Sequence, residues 1–184
     1  MKFPLDLKLD SDRILLRRSS KEDIALAFDA SRYAGFNDGM QWDPPEKMEE
    51  MIGPYERSLD AWIKDEAYTF TVEDKATREK VARISIRPGK GVNVWDTGFW
   101  THPTFQGKGY MTEALGRLVK WTFEELEAIS ITGAYATWNK ASGRVFEKNG
   151  FQQTGITEKG FQKNGEWIPE YEVILLRKIY LGIE

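Results

Sequence analysis

The stretch Gln106-Gly107-Lys108-Gly109-Tyr110-Met111-Thr112 holds the residue types in this chain best suited to holding a reactive ligand. Two glycines flank a lysine directly before a segment of helical periodicity. Glycine lets the backbone approach a ligand closely, and the first turn of a helix offers N–H groups without internal acceptors, reinforced by the helix dipole. Together these make an anion site, commonly for phosphate. Two familiar phosphate loops are excluded by residue. A Walker loop needs Gly-x-x-x-x-Gly-Lys-Ser/Thr, which nothing here matches, and a dinucleotide fingerprint needs a third glycine where Thr112 stands. From the glycines alone, a tight strand-to-helix turn with no ligand fits equally well. Other reactive types are few. With no cysteine, thiol nucleophiles, disulfides and zinc–thiolate sites are excluded. His102 is the only histidine. Its intrinsic pKa suits a base, but it ends a strand as His-Pro beside the glycine loop.

The elements that must position this loop are legible from period and punctuation. Residues 13–18 read as a first strand, and 20–35 as a helix with Ser20 as its cap and Gly35 at its end. Residues 36–45 are loop, and a second helix over 46–67 is expected to break near Gly53-Pro54. The period then changes to strands over 68–74, 80–88 and 94–102. Met111, Ala114, Leu115, Leu118, Val119, Thr122 and Leu126 fall on one face of an amphipathic helix over 110–126. A further strand, a short helix closed by Gly150, and a hairpin turning at Asn164-Gly165 complete the chain. Helices covering a mixed sheet are the consistent architecture.

Composition narrows the class. The 184 residues are 41% hydrophobic and 13% aromatic, which suits one folded domain over 1–184. A formal net charge of -3 argues against a nucleic-acid partner. No apolar run reaches the roughly 20 residues of a membrane span, and the acidic start with Pro4 is unlike a signal peptide, so no membrane partner and a cytoplasmic location are expected. No metal site is expected either.

The glycine loop, with Gln106-x-x-Gly109 after a strand and before an amphipathic helix, resembles the coenzyme A signature Gln/Arg-x-x-Gly-x-Gly/Ala of the GNAT acetyltransferases. The segments DRILLRRSSKEDI, DTGFWTHPTFQGKGYMTEAL and NKASGRVFEKNGF extend the likeness over most of the chain. The branch it is most similar to includes the ribosomal-protein N-terminal acetyltransferases. Met111 departs from the pattern, standing where glycine or alanine is usual.

The resemblance implies an α/β (α+β) GNAT acyl-CoA N-acyltransferase fold: a mixed, mostly antiparallel sheet of about seven strands flanked by helices and splayed between the fourth and fifth. It implies acetyl-CoA as cofactor. The amides around Gln106, Gly107, Lys108, Gly109, Tyr110, Met111 and Thr112 would hold the pyrophosphate, and Phe99, Trp100 and Thr101 the pantetheine arm in the splay, with Gly98 as a place for a bulge. Asp96, on the same strand face as Gly98, is the candidate base; an ordinary ion-paired carboxylate is the competing account. Many family members carry an acid tyrosine where this chain has Phe146, so Phe146 becomes a wall of the slot. Ser142, in Asn139-x-x-Ser142, is then the candidate proton or hydrogen-bond donor to the thiolate, with helix capping by Asn139 competing. Lys108, Lys140 and Arg144 are candidate phosphate partners. Met40, Trp42 and Tyr171 are candidate walls for an acceptor lying between loop 36–45 and the Asn164-Gly165 hairpin.

The expected activity is transfer of acetyl from acetyl-CoA to a primary amine by direct attack, by a monomer or homodimer. At pH 7 an α-amine is neutral roughly a tenth of the time and a lysine amine about four times in ten thousand, a gap of about 3 kcal/mol. A site without an obvious strong base therefore favours a protein N-terminus. A small-molecule amine (polyamine, aminoglycoside or amino acid) and a non-catalytic acyl-CoA sensor are the alternatives.

Overall fold

The computed structural model describes residues 1–183. Its elements are β1 (Lys8–Asp10), β2 (Ile14–Arg18), α1 (Ile24–Ala30), α2 (Ile52–Ile63), β3 (Tyr68–Asp74), β4 (Lys80–Pro88), β5 (Val94–Thr101), α3 (Tyr110–Glu125), β6 (Ser130–Ala136), α4 (Lys140–Lys148), β7 (Gln152–Lys163), β8 (Glu166–Leu176) and α5 (Arg177–Leu181). The strands form a sheet of order β1-β2-β3-β4-β5-β6-β8-β7, in which β5 and β6 run parallel and every other neighbour antiparallel.

The sheet thus has eight strands rather than seven, because Lys8–Asp10 pairs with β2 through Leu9↔Leu16. Only Leu9 of its three residues is buried, and one apolar residue carries no period to read. Pro54 does not break a helix. α2 begins at Ile52 after a 3-10 turn over Met48–Met51, so Pro54 falls in the first turn, where its missing N–H forfeits no intrahelical bond. The chain after Leu176 turns into α5.

Strand alternation divides the core. Ile14, Leu16, Phe70, Val72, Ile84 and Phe99 face α3 and α4, whose Met111, Leu115, Leu118, Trp121 and Phe146 complete one buried cluster. The opposite face is covered by α1 and the start of α2, where Ile24, Ala27, Met51 and Tyr55 pack against Trp42 and Trp100. Beneath them lies a buried ionic knot. Asp23 accepts from Arg17 Nη1 and Nη2 at 2.8 and 2.7 Å, from Thr71 Oγ1 at 2.8 Å and from the Ser20 amide at 2.8 Å, and pairs with Lys80 at 3.0 Å. Burial alone would push the Asp23 carboxyl up. The Arg17, Ser20 and Lys80 contacts outweigh it and hold the group well below the usual carboxylate range.

Candidate active site

β5 and β6 are joined only from Val94↔Ser130 to Thr97↔Gly133. Beyond that both strands continue, β5 to Thr101 and β6 to Ala136, without pairing to each other. The cause sits at the fork. A methyl group on Gly133 would lie 2.6 Å from Cζ of Phe146, so glycine alone admits that ring at the point where the strands part. Phe146 is 2% exposed and packs against Phe99, Tyr135 and Phe151 at centroid distances of 5.1, 5.8 and 5.0 Å. Gly98 carries no bulge. The β4–β5 register runs unbroken through Ser85↔Gly98, so the departure occurs on the other edge of the strand.

The gap opens into a cavity of about 570 Å³. Its floor at one end is the glycine loop. Gly107 and Gly109 take φ of +75° and +83°, left-handed values that L side chains rarely adopt, and Gly109 caps α3. The first amide to close a helical turn is that of Glu113, on Gly109 O at 3.1 Å, so the N–H groups of Tyr110, Met111 and Thr112 have no intrahelical acceptor. Met111 is 4% exposed: its side chain joins the core while its backbone stays at the helix mouth. Arg13 braces the turn, its Nε on Glu113 at 2.9 Å and its Nη1 on the Lys108 carbonyl at 3.2 Å.

At the other end the cavity meets the acidic sheet face. Register and alternation place Asp96, Thr132, Ala134, Ala136, Glu170 and Glu172 on one side. Glu170 lines the cavity. Burial raises its carboxyl above the ordinary value, and the negative charges of Asp96 and Glu172 raise it further. Burial raises Asp96 too, opposed by Arg87, whose Nη2 lies 2.5 Å away, and by the Thr132 hydroxyl donating at 3.0 Å.

Of the residues singled out in the sequence, Phe99, Trp100, Thr101, Gln106, Gly107, Gly109, Tyr110, Met111, Thr112, Asn139, Ser142 and Phe146 line this one cavity, as does Arg144. Lys108 does not; its ammonium lies over the Phe105 ring. Lys140 is likewise outside the lining. Asp96 lies in the joined part of β5–β6, outside the lining and tied to Arg87. Asn139 caps α4, its Oδ1 accepting from the Ser142 amide at 3.1 Å. His102 is 5% exposed and held between Thr104 at 2.9 Å and Asp29 at 2.8 Å, a latch between α1 and the glycine loop. Met40 lines the cavity, whereas Trp42 and Tyr171 stand behind it. Sequence reasoning missed Glu170 and Arg13. The Glu-Tyr-Glu spacing of β8, which puts Glu170 and Glu172 on one face, was an available signal; nothing local marks Arg13.

Residues 13–152 match the family model described as an acetyltransferase (GNAT) domain. YjcK of Bacillus subtilis (strain 168), assigned as an N-acetyltransferase, is 33% identical over 125 residues, covering 66% of this chain and 67% of that protein. Two solved structures share the fold. RimL, a ribosomal L7/L12 alpha-N-protein acetyltransferase in complex with coenzyme A, superposes with a TM-score of 0.83 at 16% identity, over 92% of this chain and 98% of that one. The spermidine N-acetyltransferase of Vibrio cholerae in complex with CoA and spermine gives 0.80 at 19% identity, over 93% and 99%. Among the described residues no helix is long and apolar enough to cross a membrane.

Proposed function

The chain belongs to the GNAT acetyltransferase family and is an acetyl-CoA-dependent N-acetyltransferase, and from that premise we propose that its acceptor is the α-amine of a peptide N-terminus, deprotonated at Glu170. The bound donor supplies an acetyl thioester as electrophile. The residues present fit it: the open amides of Tyr110, Met111 and Thr112 suit a diphosphate, a side chain on Gly109 would fill that cradle 3.3 Å from Arg13, and the unpaired edges of Phe99–Thr101 and Ala134–Ala136 suit an amide-bearing arm.

Phe99, Phe146 and Tyr135 keep the inner slot apolar and limit water there. The Glu170 carboxylate accepts the acceptor's proton, directly or through water, and its raised pKa makes it a better base than an ordinary glutamate. Ser142 lines the slot at the first turn of α4, placed to give a hydrogen bond to the departing sulfur. Asp96 acts from behind, adding negative charge that favours a cationic amine and disfavours ionisation of Glu170.

The observation that carries the acceptor class is the nature of the available base. The acceptor end offers one lining carboxylate, Glu170, and the one imidazole is locked away by Asp29 and Thr104. Such a base matches an α-amine, already neutral about a tenth of the time at pH 7, better than an alkyl amine that is about 3 kcal/mol further from neutrality. The three carboxylates on one face support a second reading, a linear polyamine. Initial rates with acetyl-CoA and hexapeptides bearing free N-terminal Ser, Ala or Met, beside spermidine, separate the two. A peptide should lead; spermidine turned over more than tenfold more efficiently than every peptide overturns the assignment.

A further inference from the structure

Lys163 ends β7 at the hairpin, and nothing in the chemistry above uses it. Its side chain is only 9% exposed. A buried ammonium is costly unless each of its three N–H groups finds an acceptor. Here three acceptors face it: the carbonyl of Met40 at 3.3 Å, the carbonyl of Trp42 at 2.9 Å and the carboxylate of Asp43 at 2.8 Å. Donors and acceptors match one for one; the Asp43 carboxylate is itself 83% exposed, so the two carbonyl bonds rather than the ion pair set this contact apart from a solvated surface pair.

All three acceptors belong to loop 36–45 between α1 and α2. That loop also presents Phe36, Gly39 and Met40 to the acceptor end of the slot. Gly39 lies so near Trp138 that a methyl there would sit 3.2 Å from its indole. At the α1 side the chain is anchored by Asp29 on His102. The loop therefore spans the acceptor opening, fastened at one end to the glycine-loop side and at the other to the β7–β8 hairpin.

We propose that Lys163 is a positioning residue that determines acceptor specificity: it holds loop 36–45 as a fixed roof, so that acceptors enter end-on with a slender amino terminus leading. This rests on the reading that the acceptor amine is acylated in this slot. A roof fixed in advance spares the acceptor the entropy of ordering the loop. Its loss therefore falls on acceptor KM and on selectivity, while the donor cradle on α3 lies outside the clasp.

The test uses the full chain with Lys163→Met, which keeps the stem and removes the three bonds, beside Asp43→Ala and Lys163→Arg. With acetyl-CoA and a Ser-led hexapeptide, Lys163→Met should raise peptide KM at least tenfold, with kcat and acetyl-CoA KM within twofold. The preference for the Ser-led over a Trp-led hexapeptide should fall at least tenfold. Asp43→Ala should move both in the same direction by less, the double variant should match Lys163→Met rather than the sum, and Lys163→Arg should restore most of the loss. Chymotrypsin cleavage at Trp42 needs no acceptor and should quicken at least tenfold in Lys163→Met. Unchanged cleavage, unchanged selectivity, or a rise in donor KM equal to that of the peptide overturns the proposal. If the wild type acetylates none of these amines, the acceptor assignment fails instead, and the cleavage rate still decides whether the clasp holds the roof.

Discussion

Gly133→Ala probes the fork on which the slot depends. The added methyl would lie 2.6 Å from Cζ and 2.7 Å from Cε1 of Phe146. Carbon contacts are comfortable at about 3.5–4.0 Å, so the ring has to retreat by about 1 Å. It has no room to do so within the core, enclosed as it is by Phe99, Tyr135 and Phe151. Overpacking of this kind costs about 1–3 kcal/mol. At about 2–4 °C per kcal/mol for a chain of this size, the melting temperature should fall by roughly 2–12 °C. The remaining exit for the ring is the slot itself, so affinity for coenzyme A should drop about tenfold or more, equivalent to about 1.4 kcal/mol. Thermal melting by circular dichroism and titration calorimetry with coenzyme A read both effects. Phe146→Leu alone should cost about 1–2 kcal/mol by leaving a void. The double variant, in which the methyl has space, should be more stable than the sum by about 1 kcal/mol. A Gly133→Ala protein that melts within about 1 °C of wild type and binds coenzyme A normally would refute the wedge, as would strictly additive losses.

Glu170→Gln should lower kcat about a hundredfold with acetyl-CoA KM unchanged, as measured by initial rates. Because the folded Glu170 carboxyl is raised above its unfolded value, its ionisation destabilises the fold as pH rises, so the same variant should melt higher than wild type at pH 7. Asp96→Asn removes one of the charges that raise Glu170 and should move the lower inflection of the kcat/KM–pH profile to lower pH; an unmoved inflection excludes that coupling. Gly109→Ala forces a side chain into φ +83°, about 1–2 kcal/mol of strain, and puts a methyl 3.3 Å from Arg13, so calorimetry should show coenzyme A binding weakened at least tenfold. Asp23→Ala strips the shared carboxylate from Arg17 and Lys80 and should cost about 3–5 kcal/mol in denaturant melts. Its carboxyl is held below the unfolded value of about 3.9, so its contribution is complete above about pH 4 and lost below it; wild-type stability should fall there more steeply than the variant's.

The glycine loop shows why part of the site was legible. Left-handed φ at Gly107 and Gly109, and a helix starting at Tyr110, are local consequences of residue type. The same holds for Asn139 capping α4. The two carboxylates show the opposite. Asp96 is the last acid before the glycine loop along the chain, yet it lies where β5 and β6 are still joined. Glu170 reaches the cavity because β8 inserts between β6 and β7, bringing Glu170 opposite Ala136 at the open end of the fork.

The amino-acid order by itself determined the alternation of strands and helices, the left-handed glycine turn at the mouth of α3, the exclusion of thiol chemistry and the family resemblance, since each depends on the character or spacing of neighbouring residues. The tertiary structure alone decided which acid lines the slot, that Phe146 seats on Gly133 at the fork, and that Lys163 fastens the loop above it. Those relations form between residues far apart in the chain, where sheet order and close packing, not local conformational preference, fix what touches what.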